Sequence, residues 1–197
     1  MTMKIGVDFD DVLFDCNASL ALFHNSRYGT SYERKDVWSW YLDQVWGCTE
    51  KEAIERVKEW YDSEEHTQSM PISGAIEAIE KLAQSYELHI ITSRPSSIRK
   101  PTRLWLERYF AKHFAEIHFT NHSEPGSGSK AEICLNLDVS FLIEDSLKHA
   151  RDVASGGTTV LLLDSPWNQE DVSGNIIRVH SWEEAVELIG SEFTEMR

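Results

Sequence analysis

Helix and strand patterns alternate along most of this chain, and that alternation limits it to a small set of folds. Short apolar runs of strand type are separated by amphipathic segments with helical spacing. Strands that alternate with helices in this way predict an α/β fold, in which a parallel sheet is covered by helices on both faces. The predicted strands lie at about residues 3–8, 87–92, 116–120, 139–143, 158–163 and 176–179. The predicted helices lie at residues 75–86, 101–110, 130–137, 147–155 and 181–189.

Residues 15–70 differ from the rest of the chain. They are rich in tryptophan and carry apolar positions at helical spacing, as in EKEAIERVKEWY. Pro71 and Gly74, in the stretch MPISG, then mark a break. A chain of 197 residues suits one domain with a modest insertion. We therefore expect a mostly helical segment between the first strand and the others.

The charge balance excludes some partners. Acidic residues outnumber basic ones by 33 to 19, which gives a formal net charge of −14. We therefore expect neither a nucleic-acid polymer nor an anionic membrane as a partner, whereas a small anionic substrate can still be bound by local cations or a metal ion. Cys16, Cys48 and Cys134 are far apart and odd in number, which is typical of reduced thiols. Without a signal peptide or a membrane-length apolar run, the expected location is cytoplasmic.

Polar clusters follow four of the predicted strands. DFDD begins at Asp8, TSRP at Thr92 and EDS at Glu144, while the loop after the third strand leads to Lys130. Ligands of open parallel sheets bind beyond the carboxyl ends of the strands. The clusters are therefore predicted to converge on one site.

The first cluster places Asp8, Asp10, Asp11 and Asp15 close together, although like charges repel and are costly to desolvate. One interpretation is an acidic loop that caps the next helix. The other is chemical, because one carboxylate can attack phosphorus and a second, two residues later, can transfer protons. A hard cation such as Mg²⁺ would hold these charges together.

Lys130 lies at an unfavourable place for a cation. Ser129 and Glu132 form a predicted capping box, so Lys130 falls in the first helical turn, where the helix dipole repels positive charge. It is either a solvated surface lysine or the neighbour of an anionic group.

The other two clusters also allow two interpretations. Thr92 and Ser93 either form a turn at a strand end or bind phosphate oxygens through hydroxyl and backbone N–H groups. Asp145 and Ser146 either cap the following helix or contribute to a metal site.

The chain resembles the haloacid dehalogenase (HAD) superfamily of phosphohydrolases in four motifs. In order along the chain, these are DFDDVLFD, ITSR, the single SK at residues 129–130, and LIEDS. Within that superfamily the chain resembles the 5′(3′)-deoxyribonucleotidase group, through MPISGAIEAIEKL, LLLDSPWNQ and RVHSWEEAVELI. The resemblance implies a three-layer Rossmann-like core with a parallel sheet, formed by residues 1–14 and 71–197. It also implies that residues 15–70 are a small helical cap, inserted after the first strand, that closes over the site.

The resemblance also implies roles for individual residues. Asp8 is the nucleophile and a Mg²⁺ ligand, and Asp10 is the general acid and base, with its backbone carbonyl on the metal. Asp145 is a further Mg²⁺ ligand. The residues implied in phosphate binding are Thr92, Ser93 and Lys130, and those assigned to support or to the substrate are Asp11, Arg94, Glu144, Trp38 and Trp40.

Two of these positions raise structural questions. Asp11 stands where the deoxyribonucleotidases usually have glycine, and aspartate can adopt unusual backbone angles in a turn. Trp38 and Trp40 are two residues apart, so in a helix they would point about 200° away from each other. We therefore expect one ring to pack in the cap and the other to face solvent or the site entrance, where it could stack on a nucleobase. An ordinary core tryptophan is the alternative.

The expected function is a Mg²⁺-dependent phosphatase that acts through an aspartyl phosphate on a small phosphate monoester, most specifically a nucleoside monophosphate. One alternative is a phosphatase or phosphotransferase acting on a sugar phosphate or another small metabolite. Another is a non-catalytic regulatory protein, which the presence of Asp8, Asp10 and Lys130 disfavours. A homodimer is one assembly that the sequence allows.

Overall fold

The computed structural model describes residues 2–120 and 128–195. Within these residues, six strands form one parallel sheet in the order β3-β2-β1-β4-β5-β6. The predicted α/β fold is therefore confirmed, and β1, which leads into the acidic loop, lies inside the sheet. The strands are β1 Lys4–Val7, β2 Glu87–Thr92, β3 Phe114–Phe119, β4 Val139–Glu144, β5 Thr159–Leu163 and β6 Ile176–Val179.

Helices pack on both faces of the sheet, because neighbouring residues of a strand point to opposite sides. Ile5 and Val7 of β1 join an apolar cluster with residues of α5, α6 and α9, and Leu142 of β4 joins a second cluster with residues of α7 and α8. The helices are α1 Cys16–Tyr28, α2 Leu42–Trp46, α3 Glu50–Tyr61, α4 Glu64–Thr67, α5 Ala75–Leu82, α6 Arg99–Phe110, α7 Lys130–Leu137, α8 Leu147–Ala154 and α9 Trp182–Glu195.

The first four helices form a segment between β1 and α5, here called the helical insertion (residues 16–67). Helix α1 begins after Asp15, whose side chain accepts a hydrogen bond from the Ala18 N–H, and α3 begins after Thr49 in a capping box. The indole N–H of Trp60 donates to the Ser19 hydroxyl over 2.9 Å, which ties α3 to α1. The insertion is helical, as predicted.

The prediction for Trp38 and Trp40 was wrong in one respect. Both residues lie between a 3₁₀ turn at Arg34–Asp36 and the start of α2, outside any helix. A turn forms here because the Tyr41 N–H donates to the Ser39 hydroxyl, which gives the backbone a partner other than a helical carbonyl. The 200° separation therefore does not apply, and both rings are exposed, Trp38 by 55% and Trp40 by 41%.

Two further findings concern the environment of the chain. No helix among the described residues has both the length and the apolar character needed to cross a bilayer. Cys16, Cys48 and Cys134 are free thiols, as predicted.

Gly6 lets the centre of the sheet pack closely against its neighbours. A Cβ atom added there would lie 2.9 Å from Ile91 Cδ1 and 3.0 Å from Leu142 Cδ1, and both of those side chains are fully buried. We predict that Gly6→Ala lowers the free energy of unfolding by about 1–3 kcal/mol through overpacking. Urea unfolding of the two proteins measures the change.

Gly190→Ala is the matched control. It makes the same substitution inside helix α9, where an added Cβ meets no described atom within 4 Å. Because alanine favours a helix over glycine, this variant is expected to be as stable as the original chain or up to about 1 kcal/mol more stable. Equal effects of the two substitutions would contradict the packing role of Gly6.

Candidate active site

A cleft of about 710 Å³ opens at the carboxyl ends of the strands. Asp8 and Asp10 enter it from the loop after β1, Thr92 from the end of β2, Asp145 from the loop after β4, and Lys130 from the first residue of α7. The polar clusters that were predicted to converge on one site therefore do so. The contacts between their side chains explain how so many charges can lie together.

Lys130 is buried between two carboxylates. Its side chain is only 3% exposed, and its Nζ atom lies 2.7 Å from Asp8 Oδ1 and 2.7 Å from Glu144 Oε2. Burial alone would lower the pKa of Lys130, but the charges of Asp8 and Glu144 outweigh it and raise the pKa. The surface-lysine interpretation is therefore wrong, and the anionic neighbours come from the chain itself.

Asp8, Glu144 and Asp145 form a buried acidic cluster, with one carboxylate oxygen of each lying within 4.8 Å of the others. Burial and the charge of Glu144 raise the pKa of Asp8 to about 7, although Lys130 opposes the shift. Burial and the charges of Glu144 and Asp8 also raise the pKa of Asp145 well above its usual range. A divalent cation beside these oxygens would offset the repulsion, so the oxygen donors fit a hard ion such as Mg²⁺.

Glu144 itself is occupied by other groups. Its Oε2 atom accepts from Lys130, and its Oε1 atom accepts from the backbone N–H groups of Asp145 and Ser146 over 3.2 Å and 2.9 Å. Burial opposes its ionisation, but the charge of Lys130 prevails and lowers the pKa of Glu144. These contacts hold Glu144 in place, so Asp8 and Asp145 are the two carboxylates of the cluster with more freedom to accept an ion.

Asp10 is paired with Arg94, and both of its carboxylate oxygens take part. Arg94 Nε lies 2.9 Å from Oδ2, and Arg94 Nη2 lies 2.6 Å from Oδ1. The guanidinium is buried, with its carbon 4.0 Å from the ring centroid of Phe9. This two-point contact fixes the direction of the Asp10 side chain, so Arg94 supports Asp10.

Asp11 adopts the unusual backbone angles that its position requires, with a φ of 54°. Its buried side chain accepts from the Asn17 N–H over 3.1 Å and lies 3.3 Å from Arg34 Nη2, in the helical insertion. Burial raises the pKa of Asp11 to about 8, although the charge of Arg34 opposes the shift. Asp11 therefore joins the acidic loop to the insertion and is not among the residues that line the described cleft.

Thr92 and Ser93 both line the cleft. The Thr92 hydroxyl accepts from the Arg94 N–H over 3.2 Å, which forms a turn at the strand end. The Ser93 and Thr120 hydroxyls lie 3.1 Å apart. Both interpretations made from the sequence are therefore compatible, since residues in a turn also present polar atoms to the cleft.

Five aromatic residues line the described cleft, and only two of them were predicted from the sequence. Trp38 and Trp40 were identified, whereas Tyr41, Tyr61 and Trp167 were not. Trp167 follows β5. The rule that ligands bind beyond the carboxyl ends of parallel strands, applied to β5 as well, predicts a position near the site for it. The cations of α8 were also missed, because nothing in their sequence pattern distinguishes them from a solvated helix face. Those cations are Lys148 and Arg151.

Comparisons with known proteins identify the family of this chain. Residues 2–193 match the family described as "5′ nucleotidase, deoxy (Pyrimidine), cytosolic type C protein". Nucleotidase CA_C3379 of Clostridium acetobutylicum is 25% identical over 194 residues, which cover 97% of this chain and 95% of that protein.

Solved structures share the fold. The haloacid dehalogenase-like hydrolase SP0104 of Streptococcus pneumoniae gives a TM-score of 0.71 at 17% identity, covering 95% of this chain and 98% of its own. The magnesium-bound HAD-hydrolase YfnB of Bacillus subtilis gives 0.65 at 15% identity, with coverage of 95% and 98%. Since the family match spans nearly the whole sequence, the chain belongs to the cytosolic type C 5′ nucleotidase family and is a phosphomonoesterase with the fold of the solved haloacid dehalogenase-like hydrolases.

Proposed function

We propose that this chain hydrolyses a nucleoside monophosphate in a Mg²⁺-dependent reaction, with Asp8 as the nucleophile. The observation that carries the proposal is the position of Asp8, which lies in the cleft, in contact with Lys130 and beside Asp145. A carboxylate with an adjacent cation and a divalent metal site is suited to attack on phosphorus.

Asp8, Asp145 and the backbone carbonyl of Asp10 would hold the metal ion. When bound there, Mg²⁺ supplies positive charge that stabilises the oxygens of the transferring phosphoryl group. Lys130 supplies a second positive charge beside Asp8, and Thr92 and Ser93 would donate hydrogen bonds to the phosphoryl oxygens. These groups position the ester for attack in line with its leaving oxygen.

The reaction has two steps. In the first, a carboxylate oxygen of Asp8 bonds to phosphorus while the ester P–O bond breaks, and Asp10 donates a proton to the leaving oxygen. In the second, Asp10 takes a proton from water, which attacks the phosphorus of the aspartyl phosphate. Inorganic phosphate leaves and Asp8 is restored. Arg94, which contacts both carboxylate oxygens of Asp10, would restrict the rotation of that side chain during both transfers.

We further propose that residues 15–70 act as a cap over a catalytic core made of residues 1–14 and 71–197. Trp38 and Trp40 support this role, because they come from the insertion and line the same cleft as Asp8. A cleft of about 710 Å³ suits a nucleotide-sized ligand, and the exposed rings offer a face on which a base could stack.

A phosphate-release screen over nucleoside monophosphates and sugar phosphates tests the proposal. We expect Mg²⁺-dependent hydrolysis of at least one nucleoside monophosphate and loss of activity in excess EDTA. Full activity in the chelator would contradict the metal-dependent mechanism. Activity confined to sugar phosphates would identify a phosphatase of another substrate class.

Asp8→Asn tests the nucleophile. The change is nearly isosteric, so the fold is expected to persist while kcat falls by several orders of magnitude, because the amide cannot form the phosphoryl intermediate. Steady-state kinetics and a thermal melt measure the two quantities. Asp15→Asn is the matched control, because Asp15 belongs to the same acidic loop but does not line the described cleft. Asp15 caps α1, and asparagine is an equally good capping residue. We expect its kcat to stay within a fewfold of the original, and comparable losses in both variants would refute the role of Asp8.

Trp38→Ala tests base stacking. Trp38 has the more exposed ring of the pair, whereas Trp40 packs edge-on against Trp167 at a centroid distance of 5.4 Å. We predict that Trp38→Ala raises KM for a nucleoside monophosphate about tenfold, since stacking contributes roughly 1–3 kcal/mol per base and each decade of affinity corresponds to about 1.4 kcal/mol. Hydrolysis of a small ester without a base serves as the internal control and is expected to change little. If both substrates lose kcat/KM equally and the melting temperature falls, the ring has a structural role only.

A further inference from the structure

We propose that Trp167 is a positioning residue that orients the Asp145 carboxylate for its metal ion and links it to the helical insertion. The inference rests on the proposed role of Asp145 as a Mg²⁺ ligand. The proposal assigns Trp167 no direct contact with the ion. Instead, Trp167 connects Asp145 with the helical insertion.

The first observation is a direct hydrogen bond. The indole N–H of Trp167 donates to Asp145 Oδ2 over 2.8 Å. A carboxylate held through one oxygen presents the other in a fixed direction, so Oδ1 is the oxygen that we assign to the ion. Groups that orient metal ligands in this way commonly change metal affinity by about 10–100-fold when they are removed.

The second observation is that the loop carrying Trp167 is itself fixed to Asp145. Asn168 Nδ2 donates to the backbone carbonyls of Asp145 and Leu163, both over 2.8 Å. Arg178 in turn donates to the Asn168 side-chain and backbone oxygens, both over 2.7 Å. Asn168 is buried, so adjacent residues hold the main chain and the side chain of Asp145. An indole on such a loop has a defined position from which to donate.

The third observation is that two residues of the insertion contact the ring of Trp167. The guanidinium carbon of Arg34 lies 5.2 Å from the ring centroid, and Trp40 packs edge-on against it. Arg34 also lies 3.3 Å from Asp11 Oδ1 and 3.2 Å from Asp15 Oδ1. The ring that holds Asp145 is therefore braced by the same segment that supplies the exposed tryptophans of the cleft.

These contacts imply that ion binding and the placement of the insertion are coupled. When Arg34 and Trp40 contact the ring, rotation of the indole is restricted and its hydrogen bond to Asp145 is preserved. Coupling between two binding events is reciprocal, so an ion held by Asp145 would also favour the arrangement in which the insertion contacts Trp167.

Isothermal titration calorimetry with Mg²⁺ alone, without substrate, tests the proposal on the full chain. Trp167→Phe keeps an aromatic ring and removes the N–H donor, and we expect the Kd for Mg²⁺ to rise about tenfold. The matched control is Trp60→Phe, which removes an indole hydrogen bond of similar length, to Ser19, inside the insertion. The control is expected to lower the melting temperature without changing the Kd, so a purely structural effect is separated from positioning.

Trp40→Ala tests the link to the insertion, because Trp40 contacts Trp167 and is not one of the residues that could bind the ion. We expect a smaller rise in the Kd for Mg²⁺, about threefold. An unchanged Kd in Trp40→Ala overturns the link, and an unchanged Kd in Trp167→Phe overturns the positioning role.

Asp145→Asn distinguishes failure of this inference from failure of the proposed function. If the original chain binds Mg²⁺ and Asp145→Asn loses that binding, the metal site stands and the Trp167 variants decide the inference alone. If the original chain binds no Mg²⁺, or Asp145→Asn binds it as tightly, the proposed metal site fails and this inference fails with it.

Discussion

The contact of Lys130 with Asp8 and Glu144 is the interaction on which the rest of the site depends. Burying carboxylates beside one another is unfavourable unless a cation lies among them. Lys130 meets that requirement from inside the fold, with its Nζ atom 2.7 Å from each of the two. Glu144 stays ionised and orders the following loop through two backbone N–H groups. Asp8 and Asp145 keep raised pKa values, which is the condition that a further cation would relieve.

The same principle explains the remaining charges of the acidic loop. Asp10 is matched by Arg94 from the loop after β2, and Asp11 and Asp15 are matched by Arg34 from the helical insertion. Each pairing joins segments that are distant in sequence, so electrostatic compensation also determines how those segments are placed. In a chain with a net charge of −14, three of the 19 basic residues, Lys130, Arg94 and Arg34, thus offset the charge of these carboxylates.

Much of the fold could be predicted because it depends on local patterns. The predicted bounds of β2, α7 and β6 agree with the structure, and those of β4 and β5 differ by one residue at one end. Convergence of the site followed from the rule that ligands bind at the carboxyl ends of parallel strands. The helix considered for Trp38 and Trp40 does not form, and the Tyr41 N–H donates to the Ser39 hydroxyl there instead. The expected exposure at the site entrance is nevertheless found, for both rings. Trp167 lies in the quoted stretch LLLDSPWNQ, but its hydrogen bond to Asp145 joins loops 22 residues apart, which no local pattern indicates.

The sequence by itself determined the order of helices and strands, the parallel sheet and the residues that meet at the carboxyl ends of its strands. Hydrophobic periodicity is a local property, so these features can be predicted without the folded structure. Only the tertiary structure decided which charge each carboxylate faces. The burial of Lys130, the pairing of Arg94 with Asp10 and the bond from Trp167 to Asp145 join residues that are 14 to 122 positions apart from their partners. No periodic pattern records such contacts, since they depend on distances that exist only once the chain has folded.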